Sequence, residues 1–536
     1  MKLRASEWIG LAAITFVAAL ARFWAISFGL PHLFARPDED AIVAVALGIY
    51  RRGPDPQWFL YPTLYIYLVA FGYEVYYAVL AARGHALSAA DFAGQLAANP
   101  WPFFLTPRVL TAAMGTLSVP VLFLAARRLF DARTAWIAAT LLAAAFLHVR
   151  DSHFGVADIP ATFATLVAFW AIVSAELDPR RAWRVMGVGA LCGVAASMKY
   201  NVVLIALPLF VRLARRARET QAPPRAVAAA CAAAAVGIAA GFFAGTPFAI
   251  VEPRRFYHAL AMISTHLAGG HGPDLGRGWS AHLRISLLYG LGLPMLAASL
   301  AGAAWLARAR PADAAVVLAF PLTYYLAIGA GRTVFVRYID PVVPFACLTA
   351  AFALGSLARA PGGRSSRVVI AALLTFAVAW PSIGRVVAFD RLIACEDNRN
   401  VAAAWMEATF PPGTMVAQAG GSTYGELEFR KAAQFLTHVY NPATEGFQLN
   451  GRNVATLPDV IVRQRCPLVA YCSLPNPVSI LLQTQYRSMR VFDVGTAARG
   501  SPPVYDQNDA FFVPLDGFEH LSRPGPAFDV FARVTP

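Results

Sequence analysis

Long apolar runs dominate the first 387 residues of the chain. Runs of roughly 18–24 residues, each long enough to cross a bilayer as a helix, recur from the N-terminus to about residue 387. Residues 388–536 instead mix polar and apolar positions, are rich in Pro and Gly, and contain no long apolar run. The pattern predicts a polytopic α-helical membrane domain over 1–387 and a soluble domain over 388–536.

The positions of the arginines orient the predicted helices, because basic connectors favour the cytoplasmic side of a membrane. Lys2 and Arg4 place the N-terminus in the cytoplasm. The later cytoplasmic connectors are marked by basic groups at 127–133, 180–184, 212–225, 308–310 and 359–367. The connectors 150–157, 199–200, 246–282 and 330–337 then lie outside.

This alternation predicts about eleven membrane helices. They cover residues 7–28, 106–127, 134–150, 156–176, 184–198, 200–216, 226–245, 283–306, 312–329, 335–357 and 366–387. The first is read as a retained anchor. The tyrosine-rich segment 61–80 is expected to lie at the membrane interface without crossing; the alternative is a second crossing hidden in 83–105. Because eleven is odd, the tail 388–536 is expected outside, in the periplasm.

Composition agrees with a membrane protein and argues against nucleic-acid binding. Hydrophobic residues make up 58% of the chain and charged residues 14%, with a mean hydropathy of +0.52. The formal net charge is +14, but the basic residues are spread over short connectors and form no exposed basic domain. Abundant Arg and Ala hint at a bacterial source.

The tail reads as an α/β domain. An acid, Asp397, precedes an amphipathic helical pattern that Pro411-Pro412-Gly413 ends, and short β-like runs such as 459–462 follow. Cys466 and Cys472 could pair if the tail lies in an oxidising compartment. No CxxC or zinc-type spacing occurs among the six cysteines.

Charged residues that need a reason lie in the outside connectors. The first connector carries Asp38, Glu39 and Asp40, and the second carries Asp151, His153 and Asp158. Further along lie Lys199, then four histidines within 246–282, and then Arg337, Tyr338 and Asp340. Carboxylates and cations at a membrane face are expensive, so they indicate function.

These residue types suit a transfer reaction. A carboxylate can accept the proton of an attacking hydroxyl, and Arg and Lys can hold a phosphate and stabilise its charge as it leaves. Simpler interpretations remain open: Asp158 could cap a helix, Asp40 could begin one, and Lys199 could extend its amine towards the headgroups. Asp38, Glu39 and nearby histidines could also hold a divalent metal, although the histidine spacing matches no metal motif.

At these residues the sequence resembles the GT-C class of membrane glycosyltransferases, in particular bacterial relatives of protein O-mannosyltransferases and of the aminoarabinose lipid A transferase. The matching pieces occur in the family's order. They are RPDED (36–40), YPTLY (61–65), residues 108–130, HVRDSHFGVADIP (148–160), SMKYN (197–201), GTPFAIVEPRRF (245–256), RYIDPVVP (337–344) and residues 397–413.

The resemblance implies roles for individual residues. Asp38 falls on the general base and Glu39 on a second acid; Asp158 matches the acid that opens the next external helix. Lys199 and Arg337 fall where relatives contact the donor phosphate, with Tyr338 beside them. Asp40, Tyr61, Asp151 and His153 are expected as secondary site residues. A third acid at Asp40 departs from the family pattern.

The predicted function is therefore an inverting glycosyltransferase of the bacterial inner membrane. The resemblance implies a sugar donor linked to polyprenyl phosphate and an acceptor hydroxyl on a lipid, glycan or protein at the periplasmic face. The alternative is a transporter or flippase of lipid-linked sugars. The acids lie in connectors and not at mid-helix, which favours the enzyme. A third hypothesis is a non-catalytic assembly subunit.

Overall fold

The computed structural model describes residues 4–85, 87–358, 364–431, 434–498 and 500–534. Lys2, Arg359 and the side chain of Arg364, which helped to orient the helices, lie outside this description. The chain forms two compact units. The first contains Met1–Ile26 and Ala41–Val387, and the second contains Ser27–Asp40 and Ala388–Pro536.

The first unit is helical. Its longer helices are Ala5–Phe23, Glu39–Arg52, Leu64–Ala82, Trp101–Leu129, Ala132–Ala144, Asp158–Ser174, Ala182–Ala196, Ala206–Glu219, Pro224–Gly245, Pro253–Gly269, Leu293–Ala309, Pro311–Gly329, Val343–Leu357 and Arg364–Ile393. Short helices lie at Ala89–Gly94, Phe146–Asp151, Phe248–Val251, Gly278–Ala281 and Leu288–Leu291, with single turns of tighter or wider helix at Tyr200–Ile205, Val336–Val342 and His282–Leu287.

Seven helices within the described residues are long and apolar enough to cross a membrane. They are Ala5–Phe23, Leu64–Ala82, Trp101–Leu129, Pro224–Gly245, Pro311–Gly329, Val336–Leu357 and the stretch Ser365–Thr409. A bent pair, Gly278–Leu291 with Leu293–Ala309, would make an eighth, and three further apolar helices are shorter. The polytopic helical prediction is confirmed. Leu64–Ala82 is itself long and apolar enough to be a span, and the interfacial placement of 61–80 stays a prediction.

Several predicted helices are broken in the structure. The predicted span 283–306 bends by 114° at Gly292, which has a φ of +82° that side-chain-bearing residues rarely adopt. Pro294 follows two residues later and lacks the backbone N–H that would continue the preceding helix. The predicted span 335–357 starts as a 3₁₀ turn, Val336–Val342, which contains Pro341. The first break lies in apolar sequence, so hydropathy does not reveal it, whereas the second carries Arg337 and Asp340.

Helices Ala182–Ala196 and Pro224–Gly245 pack backbone against backbone. A Cβ at Gly193 would lie 2.0 Å from the carbonyl oxygen of Ile238, and one at Gly241 would lie 2.0 Å from that of Ala190. Only glycine permits this approach, which is the usual way in which small residues join membrane helices. The contact fixes the end of Ala182–Ala196, from which the chain continues to Lys199.

The second unit contains a seven-stranded mixed sheet, as the α/β prediction requires. Its strands are β1 (Thr414–Ala419), β2 (Phe435–Asn441), β3 (Gly446–Leu449), β4 (Arg452–Val454), β5 (Val460–Arg465), β6 (Tyr486–Phe492) and β7 (Ala527–Arg533). Their order is β4-β3-β2-β1-β5-β7-β6. Strand β1 runs parallel to both β2 and β5, and the remaining pairs are antiparallel.

Two helices accompany the sheet, Asn398–Thr409 and Asn476–Gln485, with a single 3₁₀ turn at Phe518–His520. The carboxylate of Asp397 accepts a hydrogen bond from the Arg399 amide at 2.9 Å, so the predicted N-cap is confirmed. Ala402 and Met406 on the buried face of this helix pack against Val460 and Phe528 of the sheet. This apolar layer forms the core of the unit.

Cys466 and Cys472 form a disulfide in the second unit. Cys395 is a free, exposed thiol, whereas Cys192 and Cys347 are free and buried. We expect a membrane-impermeant maleimide to modify Cys395 in the native protein and to reach Cys466 and Cys472 only after reduction, because a disulfide offers no thiolate. Mass spectrometry of tryptic peptides checks this; modification of both residues before reduction would contradict the pairing.

Candidate functional site

A buried ion pair lies at the centre of the first unit's polar cluster. The Lys199 Nζ atom is 2.5 Å from Oδ1 of Asp158, and the two side chains are 11% and 1% exposed. Asp158 is the first residue of helix Asp158–Ser174. Lys199 is the extended residue between helix Ala182–Ala196 and the 3₁₀ turn that begins at Tyr200. The break between helix Ala182–Ala196 and the 3₁₀ turn therefore places the lysine beside the acid.

Arg337 completes this cluster from a third element. Its Nε atom lies 3.7 Å from the other oxygen of Asp158, and its side chain is 4% exposed. The guanidinium carbon is 4.3 Å from the ring centroid of Phe335, and Lys199 Nζ is 4.5 Å from that of Tyr338. Aromatic faces stabilise cations that have lost their water. One carboxylate thus faces two buried cations that aromatic rings support.

Hydrogen bonds fix the backbone behind this cluster. The Asn201 side-chain amide donates to the Tyr324 hydroxyl at 3.0 Å, and that hydroxyl donates to the Tyr338 carbonyl oxygen at 3.0 Å. These two hydrogen bonds connect the 3₁₀ turn after Lys199 to the 3₁₀ turn that contains Arg337. Tyr324 lies within the apolar helix Pro311–Gly329, and the sequence interpretation did not assign it to the site.

Two further acids are buried in the same region. Asp151 accepts a hydrogen bond from Arg150 at 2.5 Å, and both side chains are at most 1% exposed. Asp340 is fully buried and interacts electrostatically with Asp151, Asp158 and Lys199. Asp340 was noted in the sequence but not predicted as a site residue. Its position immediately before Pro341 and three residues after Arg337 was the signal available.

The predicted acids of the first connector belong to the second unit. Asp38 is half-buried and has a φ of +70°, a left-handed conformation that is uncommon for residues with a side chain but tolerated by Asp. Glu39 is fully buried and begins helix Glu39–Arg52, while Asp40 is half-buried beside it. Asp38 thus stands at a sharp turn immediately before a helix, where local strain commonly marks a functional residue.

Contacts with the C-terminal tail explain why Ser27–Asp40 groups with the second unit, whereas the sequence interpretation placed 29–105 with the membrane domain. Arg36 donates to Asp509 at 2.8 Å, with both side chains at most 2% exposed. The Leu33 amide donates to Glu428 at 2.7 Å, and Asn400 donates to the Gly29 carbonyl at 3.0 Å. Residues of the C-terminal tail therefore hold the acidic segment, Ser27–Asp40, in place.

The pKa of Tyr424 responds to the negative charges of this segment. Burial, together with the negative charges of Asp40 and Asp38, raises the pKa of the Tyr424 hydroxyl to about 12. Its ring also packs edge-on against Phe34, with 6.1 Å between centroids. Tyr424 therefore stays protonated near neutral pH and can act only as a neutral group beside the acids.

His32 gives the acidic segment a measurable dependence on pH. Burial and the nearby Arg399 lower the pKa of His32 from 6.5 to about 3. Its Nε2 atom lies 2.7 Å from the Glu426 carbonyl oxygen, and its Nδ1 accepts from the Phe34 amide at 3.2 Å. These contacts fit a neutral ring that donates from Nε2.

We expect the unfolded chain to bind one more proton than the folded chain at this residue between pH 6.5 and about 3. The free energy of unfolding should therefore fall as the pH is lowered through this window, by up to about 1.4 kcal/mol per pH unit from this residue. Denaturant unfolding of the wild type and of His32→Gln at several pH values isolates the effect, because other groups titrate in both proteins. A pH-independent difference would contradict the assignment.

The remaining predicted residues lie elsewhere in the first unit. His153 is buried with its ring nitrogens 3.0 Å from the carbonyl oxygens of Val149 and Trp24, which indicates a packing role. The ring of Tyr61 packs beside Trp58, with 5.4 Å between centroids. Among the described residues, no group of three or more His, Cys, Asp or Glu side chains could hold a metal ion.

The structure thus brings Asp158, Lys199, Arg337 and Tyr338 together in the first unit. It places Asp38, Glu39 and Asp40 in the second. Chemically, the first group can hold an anion, since its lysine and arginine are desolvated and supported by rings. The second group can accept a proton.

One known family profile matches part of the chain. Residues 105–242 match the sequence profile of the dolichyl-phosphate-mannose-protein mannosyltransferase family. A search of curated protein sequences found no significant match.

Solved structures share the fold. ArnT from Cupriavidus metallidurans in the apo state superposes with a TM-score of 0.53 at 15% identity, over 98% of each chain. The same protein bound to undecaprenyl phosphate gives 0.52 at 15% identity, over 99% of each chain. An Archaeoglobus fulgidus oligosaccharyltransferase gives 0.49 at 14% identity, over 81% of this chain. The present chain spans 64% of that enzyme's length.

The resemblance noted in the sequence is therefore confirmed. The chain has a GT-C-like fold, and its match to a mannosyltransferase profile over residues 105–242 supports the prediction that it is an enzyme.

Proposed function

We propose that this protein transfers a single sugar from a polyprenyl-phosphate donor to an acceptor hydroxyl at the periplasmic face of a bacterial inner membrane. The observation that carries the proposal is the buried cluster of Asp158, Lys199 and Arg337, in which a carboxylate occupies a site suited to a phosphate. The same fold in Cupriavidus metallidurans holds undecaprenyl phosphate, which supports a lipid phosphate as the donor's leaving group.

In the proposed reaction the donor phosphate approaches Lys199 and Arg337. The cation pair neutralises the charge that develops on the phosphate oxygen as the bond to the sugar's anomeric carbon breaks. Arg supplies a planar fork of donors and Lys a compact charge, a combination suited to a phosphate monoester. The ion pair with Asp158 keeps both cations oriented until the donor arrives.

Asp38 is the proposed general base. Its carboxylate accepts the proton of the acceptor hydroxyl as that oxygen attacks the anomeric carbon from the face opposite the phosphate. One C–O bond forms while the other breaks, so the sugar is transferred with inversion and polyprenyl phosphate departs. Glu39 is the proposed second acid. The acceptor is a hydroxyl of a lipid, a glycan or a protein.

The disulfide between Cys466 and Cys472 supports the proposed location of the second unit, because such bonds persist in the periplasm and not in the cytoplasm. The arginine-rich connectors support the same orientation. Both features favour a site that faces outward.

The test uses the purified full-length protein in phospholipid nanodiscs with a radiolabelled polyprenyl-phosphate sugar and bacterial envelope extracts as acceptor. We expect label to move to an acceptor and polyprenyl phosphate to be released. In proteoliposomes, movement of intact donor across the bilayer without transfer would instead indicate a flippase. A parallel assay with a chelator tests whether transfer needs a divalent metal, which would be required if transfer stopped and returned on adding Mg²⁺ or Mn²⁺.

A further inference from the structure

A polar cavity lies in the first unit, at the end that carries the arginine-rich connectors. Its volume is about 610 Å³, within the usual range for small-ligand sites. The ends of four helices converge on it: Trp101–Leu129, Asp158–Ser174, Ala206–Glu219 and Pro311–Gly329. None of the residues assigned to sugar transfer lines it, so it is a separate site.

The charges that line this cavity do not balance. Five arginines face three carboxylates. The arginines are Arg128, Arg212, Arg215, Arg216 and Arg310, and the acids are Glu176, Glu219 and Asp313. The lining therefore carries an excess of two positive charges. Such an excess attracts anions to a concave site.

Ion pairs account for three of the arginines. Arg215 bonds to Glu219 at 2.8 Å and to Asp313 at 3.1 Å. Arg310 lies 2.6 Å from Asp313, and Arg216 lies 3.2 Å from Glu219. These pairs hold the rim of the cavity in place.

Arg128 and Arg212 supply the excess. Within the part of the chain that the structure describes, no carboxylate lies within ion-pair distance of either guanidinium. Arg212 donates to the Ala175 carbonyl at 3.4 Å. The positive charges of Arg128 and Arg215 oppose its own, and the negative charges of Glu219 and Asp313 offset this repulsion in part. An anion between Arg128 and Arg212 would relieve this repulsion.

The apolar part of the lining narrows the class of ligand. Leu129, Val173, Leu177 and Val316 line the same cavity as the arginines. A basic pocket between membrane helices with an apolar wall suits an anionic headgroup with its acyl chains beside it. We propose that this cavity binds a phosphate group, as carried by an anionic phospholipid or by a soluble phosphate compound.

The test measures binding of phosphatidylglycerol to the full-length protein by native mass spectrometry, with phosphatidylcholine as the neutral lipid. We expect phosphatidylglycerol to bind preferentially and the double variant Arg128→Gln/Arg212→Gln to weaken its binding about tenfold or more. Arg308→Gln is the matched control. Arg308 is an exposed arginine at the same end of the unit, and it does not line the cavity. Phosphatidylglycerol should therefore bind to this variant as strongly as to the wild type.

A second variant guards against loss of folding. Glu176→Gln removes one of the three negative charges, so it should tighten phosphatidylglycerol binding, which a misfolded protein would not do. Inorganic phosphate is the second probe. If it binds with the same dependence on Arg128 and Arg212 and displaces the lipid, the ligand is a soluble phosphate compound and the proposed phosphate site is supported. Equal phosphatidylglycerol affinity of the wild type and the double variant, with no phosphate binding, would overturn the proposal.

Discussion

Replacing Asp38 with Asn will abolish sugar transfer while leaving the protein folded. The substitution keeps the shape of the side chain but removes its ability to accept a proton, so the turnover number should fall by about 10²–10⁴-fold. Asp38 is only half-buried, and Asn tolerates its left-handed backbone conformation as well as Asp does, so the variant should fold. The measurement is the initial rate of transfer from a labelled polyprenyl-phosphate sugar, with thermal unfolding of the variant as the folding check.

Asp40→Asn is the partner variant, because Asp40 is the third acid of the same turn and is also half-buried. We expect it to retain most of the activity, since the resemblance places the base at Asp38. Loss of activity in Asp40→Asn with normal turnover in Asp38→Asn would move the base by two residues. Normal turnover in both variants would remove the proposed mechanism.

Lys199→Met will impair both stability and donor binding. Removing the lysine leaves the buried Asp158 carboxylate without its closest partner, which typically costs about 3–5 kcal/mol in unfolding free energy. Donor affinity should fall as well, because a cation proposed to hold the phosphate is lost. Reversible unfolding in mixed micelles measures the first effect, and titration with polyprenyl phosphate measures the second.

A double-mutant cycle separates the ion pair from other effects. Asp158→Asn should also destabilise, but Lys199→Met/Asp158→Asn should destabilise by less than the sum of the single variants, because neither member of the Lys199–Asp158 pair is then left buried without the other. Lys431→Met is the matched control. It removes an exposed lysine of the second unit and should change neither quantity. Strict additivity of the two single variants would show that the pair makes no energetic contribution.

The helical organisation was largely accessible from the sequence, since burial in a bilayer demands long apolar runs and the chain contains them. The break at Gly292 was not accessible. Gly292 counts as neutral in a hydropathy average, yet its positive φ allows a bend of 114°. The second break, at Pro341, falls in a segment that also carries Arg337 and Asp340, so the sequence is locally polar there.

The buried cluster of Asp158, Lys199 and Arg337 was partly predictable for a similar reason. Lys199 and Asp158 were conspicuous because a charge within apolar sequence requires a partner, and each proved to be the other's partner. Tyr324 was not conspicuous, because a tyrosine in an apolar helix reads equally well as an interface anchor. Only the fold shows that its hydroxyl joins Asn201 to the backbone at Tyr338.

The support of the acidic segment could not be predicted. Arg36 and Asp509 are separated by 473 positions, and no periodicity links residues so far apart. The tail was interpreted only as a soluble α/β domain, although its own residues hold the segment that carries Asp38.

This long separation has a consequence for biosynthesis. During translation the segment with Asp38 leaves the ribosome hundreds of residues before Asp509 is made, so its native setting can form only after Asp509 has been made. Until then Arg36 lacks the partner that permits its burial. A nascent chain already inserted in the bilayer would thus lack the native setting of Asp38, and the proposed transfer could not begin before its tail had been made.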